Sequence, residues 1–374
     1  MSTPRRLAEI LQGKGVLSAQ WKDAVENVPR HFFLPDRVEA GACVISRAGD
    51  PESWLAAVYD DVAITTQVNF GETTDEGDYR LPTSSSSMPS MMLQMLQMLD
   101  LLDVQDGQRV LELGAGTGWN AAWLAHRLGD EAVTSVDMDP VLVEQAVKNT
   151  QAAGYHPRLV CGDGDAGWPS SAPYERVLAT YTVCEVPFAW VEQAPGGRIV
   201  APWGGSFLSH SFAVLDVEDG SARGRFTGYP SFMRTRNHRP ERGYLSGFIH
   251  HRDEAVRARS DLSPLAIAYD AEALFFVGLA LPTAWYLPVE AEDDSGEVTV
   301  WFLADDRSSW AAADYSPSGE YWVTQYGPRR LWDEAQTAYV QWRAWGEPTR
   351  DQAGMTVDAT GQSVWLGSPD HVIA

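Results

Sequence analysis

Positive charge is scarce in this chain: 28 lysines and arginines stand against 51 aspartates and glutamates, a formal net charge of −23. Binding a polyanion relies on cations that neutralise phosphates. DNA, RNA and anionic membranes are therefore not expected as partners, whereas an acidic surface steers a basic peptide or protein towards itself. Cysteine is rarer still. Cys43, Cys161 and Cys184 are odd in number and lack the short spacing of a metal site or disulfide framework. No metal is expected, and the three read as packed, reduced thiols of a cytoplasmic protein. Long apolar runs are missing too: no hydrophobic stretch follows Arg5 and Arg6, and none elsewhere is long enough to cross a bilayer, which points to a soluble protein. What remains is ordinary globular composition, 44% hydrophobic over 374 residues, enough for two domains or for one with a large extension.

Against that background one segment stands out. Val110-Leu111-Glu112-Leu113-Gly114-Ala115-Gly116-Thr117-Gly118-Trp119-Asn120 reads as a buried strand running into a glycine turn that opens a helix. Glycines at that junction let a ligand touch backbone. The next strand, 132–136, ends at Asp137, whose carboxylate can accept both hydroxyls of a ribose. A third, 158–160, ends in Gly162-Asp163-Gly164, adding a carboxylate for the amino group of an adenine. Three successive strand ends thus offer polar groups to one crevice, the place where open α/β sheets bind ligands.

A Gly-x-Gly-x-Gly turn alone also serves enzymes that bind NAD or FAD. Glu112 discriminates, because an anion there repels a pyrophosphate but suits a cationic methyl donor. S-adenosyl-L-methionine is accordingly the expected cofactor, with S-adenosyl-L-homocysteine as its product. The candidate cofactor-binding residues are Glu112, Gly114, Ala115, Gly116, Asp137, Met138, Asp163, Gly164 and Thr180. The plainer alternative has the glycines punctuating loops and the aspartates capping helices; the coincidence of all three at strand ends weighs against it.

The wider organisation follows from periodicity. A helix over 21–28 stops at Pro29, 30–35 continues as an extended apolar segment, and the polar run 69–80 reads as a surface loop. A methionine- and leucine-rich helix over 89–102 suits core packing. From 108 to about 205, strands alternate with helices, which predicts a mostly parallel sheet covered on both faces. The helix over 119–128 closes at Gly129, and that over 140–152 turns Val141, Val143, Ala146 and Val147 towards the sheet. A fourth strand is expected at 176–180, and a turn plus fifth strand at 196–204. Beyond Gly205, alternating segments such as 212–217 and 297–302 predict antiparallel strands of a separate α+β region. Eight tryptophans crowd it, Trp285 to Trp365, as core residues or as a peptide-contacting surface. The expected division is a helical, substrate-side segment (1–80), a donor-binding core (81–205) and a C-terminal α+β domain for peptide recognition (206–374).

From about Trp21 to Gly205 the chain resembles the protein-L-isoaspartate O-methyltransferase family. The landmarks are Val28-Pro29-Arg30-His31-Phe32-Phe33, Tyr59-Asp60-Asp61, the turn from Glu112 to Gly118, Gly162-Asp163-Gly164, Ala172-Pro173-Tyr174-Glu175-Arg176 and Pro195-Gly196-Gly197-Arg198-Ile199-Val200. The resemblance implies an α/β, Rossmann-like class I S-adenosylmethionine-dependent methyltransferase fold with a C-terminal α+β extension. Ser87-Met88-Pro89 looks like the family's Ser-Gln-Pro element, which nominates Ser87 as the catalytic hydroxyl, with Ser86 beside it on the substrate side. Two features depart from the family: the Ser84-Ser85-Ser86-Ser87 run, and the long continuation past Gly205. These, with Val58-Tyr59-Asp60-Asp61 and the 327–334 segment, are similar to the branch that accompanies ATP-grasp maturases in graspetide pathways. Its members methylate an aspartate side chain of a ribosomally made, cross-linked peptide, and the ester collapses to an aspartimide. The implied partners are a cross-linked acidic precursor peptide and an ATP-grasp ligase. A lanthipeptide-tailoring enzyme, a repair methyltransferase with an added domain, and a non-catalytic peptide-binding module are the alternatives; intact Glu112, Asp137 and Asp163 speak against the last.

The chemistry needs little acid–base help, since an aspartate of pKa about 3.9 is already ionised at neutral pH. Holding carboxylate oxygen, methyl carbon and sulfur in line, away from water, is the task. Ser87 can donate to one carboxylate oxygen and leave the other free to attack, or it can simply cap the following helix. Asp60 lines the substrate side or caps a turn. Arg234, Arg236 and Arg239, clustered with His238 and Arg242, can meet an acidic substrate through paired hydrogen bonds or form salt bridges within the protein.

Overall fold

The computed structural model describes residues 3–40, 43–60, 64–65, 67–68, 85–87, 92–207, 210–235 and 245–374. An N-terminal layer comes first. Helix α1 (Pro4–Gly13) is capped by Thr3, whose hydroxyl accepts from the Arg6 amide, and buries Leu7, Ala8 and Leu11 against α2 (Ala19–Asn27). A 3₁₀ turn (Arg30–Phe33) follows where an extended segment was expected. The cause is Arg30: its buried guanidinium donates to the carbonyls of Val58 (3.0 Å) and Asp60 (3.2 Å) and lies 5.0 Å from the centre of the Trp119 ring, so the backbone coils to keep it inside. Next come β1 (Arg37–Ala40), β2 (Cys43–Ser46), α3 (Pro51–Val58), β3 (Ile64–Thr65), β4 (Gln67–Val68) and β5 (Ser85–Ser87). Strand β1 pairs between β2 and β3, and β4 pairs with β5, all antiparallel. Helix α4 (Met92–Leu102) buries Met92, Met95, Leu96, Met98 and Leu99 in the core shared with this layer.

The central sheet follows in alternating order: β6 (Val110–Leu113), α5 (Trp119–Leu128), β7 (Val133–Asp137), α6 (Pro140–Ala152), β8 (Arg158–Cys161), β9 (Arg176–Ala179), α7 (Phe188–Gln193) and β10 (Arg198–Trp203). These five strands are parallel and lie in the order β10-β9-β6-β7-β8. The chain steps outward from β6 to β8, then returns to the other side of β6. The order therefore reverses between β6 and β9, and at such a reversal the loops diverge and leave a crevice at the carboxyl ends. All four residues of β6 are buried, as a central strand covered on both faces requires. Helix α6 begins and ends as expected but sits rotated: Val141 is 69% exposed, while Leu142, Ala146, Asn149 and Thr150 are buried. The Asp139 side chain, accepting from the Val141 and Leu142 amides, sets that start, and the Asn149 side chain donates to the Thr117 carbonyl at 2.9 Å.

The sheet does not stop at β10. Strands β11 (Ser211–Glu218) and β12 (Ser221–Thr227) continue it antiparallel. The chain then leaves to build β13 (Val256–Ser260), α8 (Leu265–Ala268), α9 (Ala271–Ala280), β14 (Ala284–Glu290), β15 (Val298–Ala304), β16 (Trp310–Tyr315), β17 (Tyr321–Tyr326) and α10 (Leu331–Ala344). It returns with β18 (Ala353–Asp358) and β19 (Gly361–Leu366), which complete a nine-stranded sheet beside β12. The expected border at 205/206 thus falls inside one sheet. The excursion forms its own five-stranded antiparallel sheet, β13-β17-β16-β15-β14, with α8 to α10 packed through Phe302, Leu331, Trp332 and Ala335. Arg350, 3% exposed, ties the two sheets together: it pairs with Glu272 at 2.9 Å, donates to the His210 and Ala271 carbonyls, and lies 4.0 Å from the Tyr229 ring centre. Trp285, Trp310, Trp332, Trp342 and Trp365 are core residues. Among the described residues, no helix is long and apolar enough to cross a membrane.

Candidate functional site

The glycine turn is sewn to its neighbouring strand before any ligand is considered. The Gly114 and Ala115 amides donate to the Val136 carbonyl at 2.8 and 3.1 Å. Gly114 (φ 99°) and Gly118 (φ 87°) adopt left-handed backbone that disfavours other residues. At Gly118 a Cβ would also press on the Ala146 and Thr150 side chains at 3.1 Å, so α6 packs close only because this residue is glycine. At the tip of β7, Asp137 accepts from the Gly116 amide (2.8 Å) through one oxygen and from the Asp139 amide (3.0 Å) through the other. Two backbone donors thus fix the plane of a carboxylate that offers about four acceptor directions, enough for ribose hydroxyls besides. Met138, 42% exposed, follows it. At the tip of β8, Asp163 accepts from the Asp165 amide at 3.0 Å and caps the 3₁₀ turn Gly164–Ala166. The Thr180 hydroxyl leaves β9 towards the turn and donates to the Gly114 carbonyl at 2.7 Å. Hydrogen bonds thus join the glycine turn, Asp137 and Thr180 beside the reversal point, and Asp163 stands two strands away at the tip of β8.

Glu112 is placed differently. It was expected to face a cationic donor directly, yet it is 0% exposed and lies beneath the turn. The Asn120 side-chain amide donates to one of its oxygens at 2.6 Å and the Ser135 hydroxyl to the other at 2.5 Å. Burial pushes its pKa up from 4.5 to about 7; the two hydrogen bonds oppose that rise and nearby Asp137 adds to it. Asn120 and Ser135 escaped the sequence reading, although a serine inside an apolar strand and an asparagine two residues past Gly118 were the available signals. The buried Oδ1 of Asn120 has no hydrogen-bond partner among the described residues. An unanswered acceptor beside a titrating carboxylate, under the opening of α5, is a setting that a cationic amino group satisfies.

The remaining candidates are spread more widely. Ser86 and Ser87 lie on β5, where Ser87 pairs with Gln67; their side chains are outside the described residues. Asp60 is exposed and uses its carbonyl to hold Arg30, which suits a structural role. Arg234 comes to the site: it bridges Thr182, just past β9, and its guanidinium donates to Ser206 Oγ at 3.0 Å and to the Gly205 carbonyl. Arg236, Arg239, His238 and Arg242 lie outside the described residues.

The sequence model of one family, protein-L-isoaspartate(D-aspartate) O-methyltransferase, matches residues 2–223. This chain belongs to that family. Among curated relatives, the protein-L-isoaspartate O-methyltransferase of Hyperthermus butylicus is 31% identical over 233 residues, covering 59% of this chain and 83% of that protein. The enzyme of the same name from Thermococcus onnurineus is 40% identical over 133 residues, 34% of this chain and 60% of that protein. A solved structure titled protein-L-isoaspartate O-methyltransferase superposes on 98% of this chain and 100% of its own, with a TM-score of 0.55 and 22% identity, so the likeness in fold runs through the C-terminal half. The protein is thus an S-adenosylmethionine-dependent carboxyl methyltransferase with the class I fold and an extension.

Proposed function

We propose that this methyltransferase esterifies an aspartate side chain of a ribosomally made, cross-linked acidic peptide, and that the ester goes on to an aspartimide. The observation that carries this reading is where the extension meets the site. The loop 182–187, leaving β9 at the reversal point, is gripped by Arg234 through Thr182 and by Gln362 of β19, whose amide donates to the Cys184 carbonyl (2.8 Å) and accepts from the Val186 amide (3.1 Å). A surface beside the acceptor end can seat a folded peptide. Arg234 adds a cation there, complementary to an acidic core.

When bound, S-adenosylmethionine supplies a methyl group made electrophilic by its sulfonium. The acceptor carboxylate is already ionised, so the protein's residues need move no proton and would serve to hold it in line with the donor's methyl group. Ser87 orients the acceptor by donating to its other oxygen. Asp137 and Asp163 would hold the adenosine half, and the amino end would lie at the glycine turn, over the buried Asn120–Glu112 pair. The backbone nitrogen of the next peptide residue then attacks the ester carbonyl and expels methanol, closing a five-membered imide.

The family match itself favours a second reading, an isoaspartyl residue of a damaged protein as acceptor. Assaying the enzyme with a linear isoaspartyl peptide and with an ATP-grasp-cross-linked acidic precursor separates the two. Methyl ester or imide on the cross-linked peptide is expected; methylation of the linear peptide alone overturns the proposal. Ser87→Ala should lower the rate of transfer with donor affinity retained, and an unchanged rate removes Ser87 from the reaction.

A further inference from the structure

The crevice holds one large side chain that the donor motif does not account for. Tyr181 follows Thr180 off the tip of β9, and its ring runs from the tip of β6 to the tip of β8. Two glycines trace that path. A Cβ built on Gly114 would lie 3.0 Å from Tyr181 Cδ1 and 3.5 Å from Cε1, and one built on Gly164 would collide with the phenol oxygen. At Gly164 the phenol fills the space a side chain would need, and at Gly114 the ring shares that role with the Thr180 hydroxyl. Tyr181 packs against the core cluster beneath the sheet tips without being fully enclosed, and its phenol end is the more deeply buried part. Asp165, Asp163 and Asp137 act on the hydroxyl; burial first, and then these three charges, push its pKa up, and it remains a neutral phenol.

An uncharged aromatic plate therefore lies along the three strand tips that carry the candidate adenosine contacts. Asp137 and Asp163 address hydrogen-bonding edges, a ribose diol and an exocyclic amine, and neither addresses the face of a purine. Bases stack on aromatic rings whatever their edges do. We propose that Tyr181 is the surface against which the adenine of the methyl donor stacks, a specificity-determining contact for the purine half of the cofactor. The inference rests on the donor and is independent of which peptide is methylated.

Titration calorimetry of the full chain with S-adenosylhomocysteine tests it, using Tyr181→Phe, Tyr181→Leu and Tyr181→Ala and following thermal unfolding in parallel. Phenylalanine keeps a π face and should bind within about threefold of the parent, whereas leucine and alanine should weaken binding by about ten- to a hundredfold, the span of a base–aromatic stack. The same losses are expected for 5′-methylthioadenosine, which has the adenosine and lacks the amino-acid end. A leucine variant that binds like the parent means that the residue only fills space, and an alanine variant that binds more tightly means that the ring obstructs the donor. Either result overturns the proposal. Should the alanine variant fail to fold, the phenylalanine–leucine comparison decides alone.

Discussion

Glu112 makes a quantitative claim about stability that pH can test. Its carboxyl is completely enclosed, and its pKa rises from 4.5 to about 7 because burial penalises the charged form. The folded protein therefore holds this proton more tightly than the unfolded chain does. The stabilisation is fully present below pH 4.5 and is lost progressively as pH climbs to 7 and just beyond. At about 1.36 kcal/mol per pH unit, the loss is about 3 kcal/mol, a sizeable part of the stability of an ordinary domain. Glu112→Gln isolates it, since glutamine keeps the shape, can accept from Asn120 and can donate to the Ser135 hydroxyl, and it never ionises. Urea unfolding of parent and variant at pH 4.5 and pH 8, without donor, should show the parent losing about 3 kcal/mol relative to the variant. Two stability–pH curves that stay parallel would refute the claim that this carboxylate pays a desolvation penalty under the turn.

Three further outcomes follow from other contacts. Asp137→Ala removes both the anchor of the Gly116 amide and the candidate ribose acceptor, so S-adenosylhomocysteine affinity measured by calorimetry should fall by about ten- to a hundredfold; unchanged affinity takes Asp137 out of the site. Arg350→Ala removes the cation paired with Glu272 and the side-chain donors to the His210 and Ala271 carbonyls at the junction of the two sheets, and denaturant unfolding should show a loss of about 3 kcal/mol. Gln362→Ala releases the loop 182–187 and should raise the acceptor KM severalfold with S-adenosylhomocysteine affinity unchanged; an equal loss of donor binding would show that the loop serves the donor instead.

The donor half was legible because its signals are local. Strands β6 to β10 and helices α5 and α6 fall where apolar runs, Gly129 and Pro140 put them, and Asp137 and Asp163 stand at strand ends that can be counted along the chain. What escaped depends on burial or distance. β6 is buried on both faces, so alternation could not distinguish a crevice-facing Glu112 from one sealed beneath the turn. The 3₁₀ turn at Arg30 answers carbonyls nearly thirty residues on. The rotation of α6 is set by its Asp139 cap, which a list of valines does not reveal. The joining of β18 and β19 to β12 is a pairing across more than a hundred residues, and no periodicity reports it.

That long return also explains how an extension can influence chemistry it does not perform. The backbone from 182 to 187 is held at several points by chain that follows it. The Thr182 amide donates to the Met233 carbonyl at 2.7 Å, the Thr235 amide to the Thr182 carbonyl at 2.9 Å, Val183 bridges Trp203, and Gln362 closes the far end. The turn and carboxylates that define the donor crevice, by contrast, lie between Glu112 and Tyr181 and hold one another. Two separately braced stretches of backbone thus meet at the tip of β9. Changes in the later chain can shift the 182–187 backbone while the glycine turn stays as it is, which would serve the proposed reading, in which the cofactor is constant and the substrate is particular.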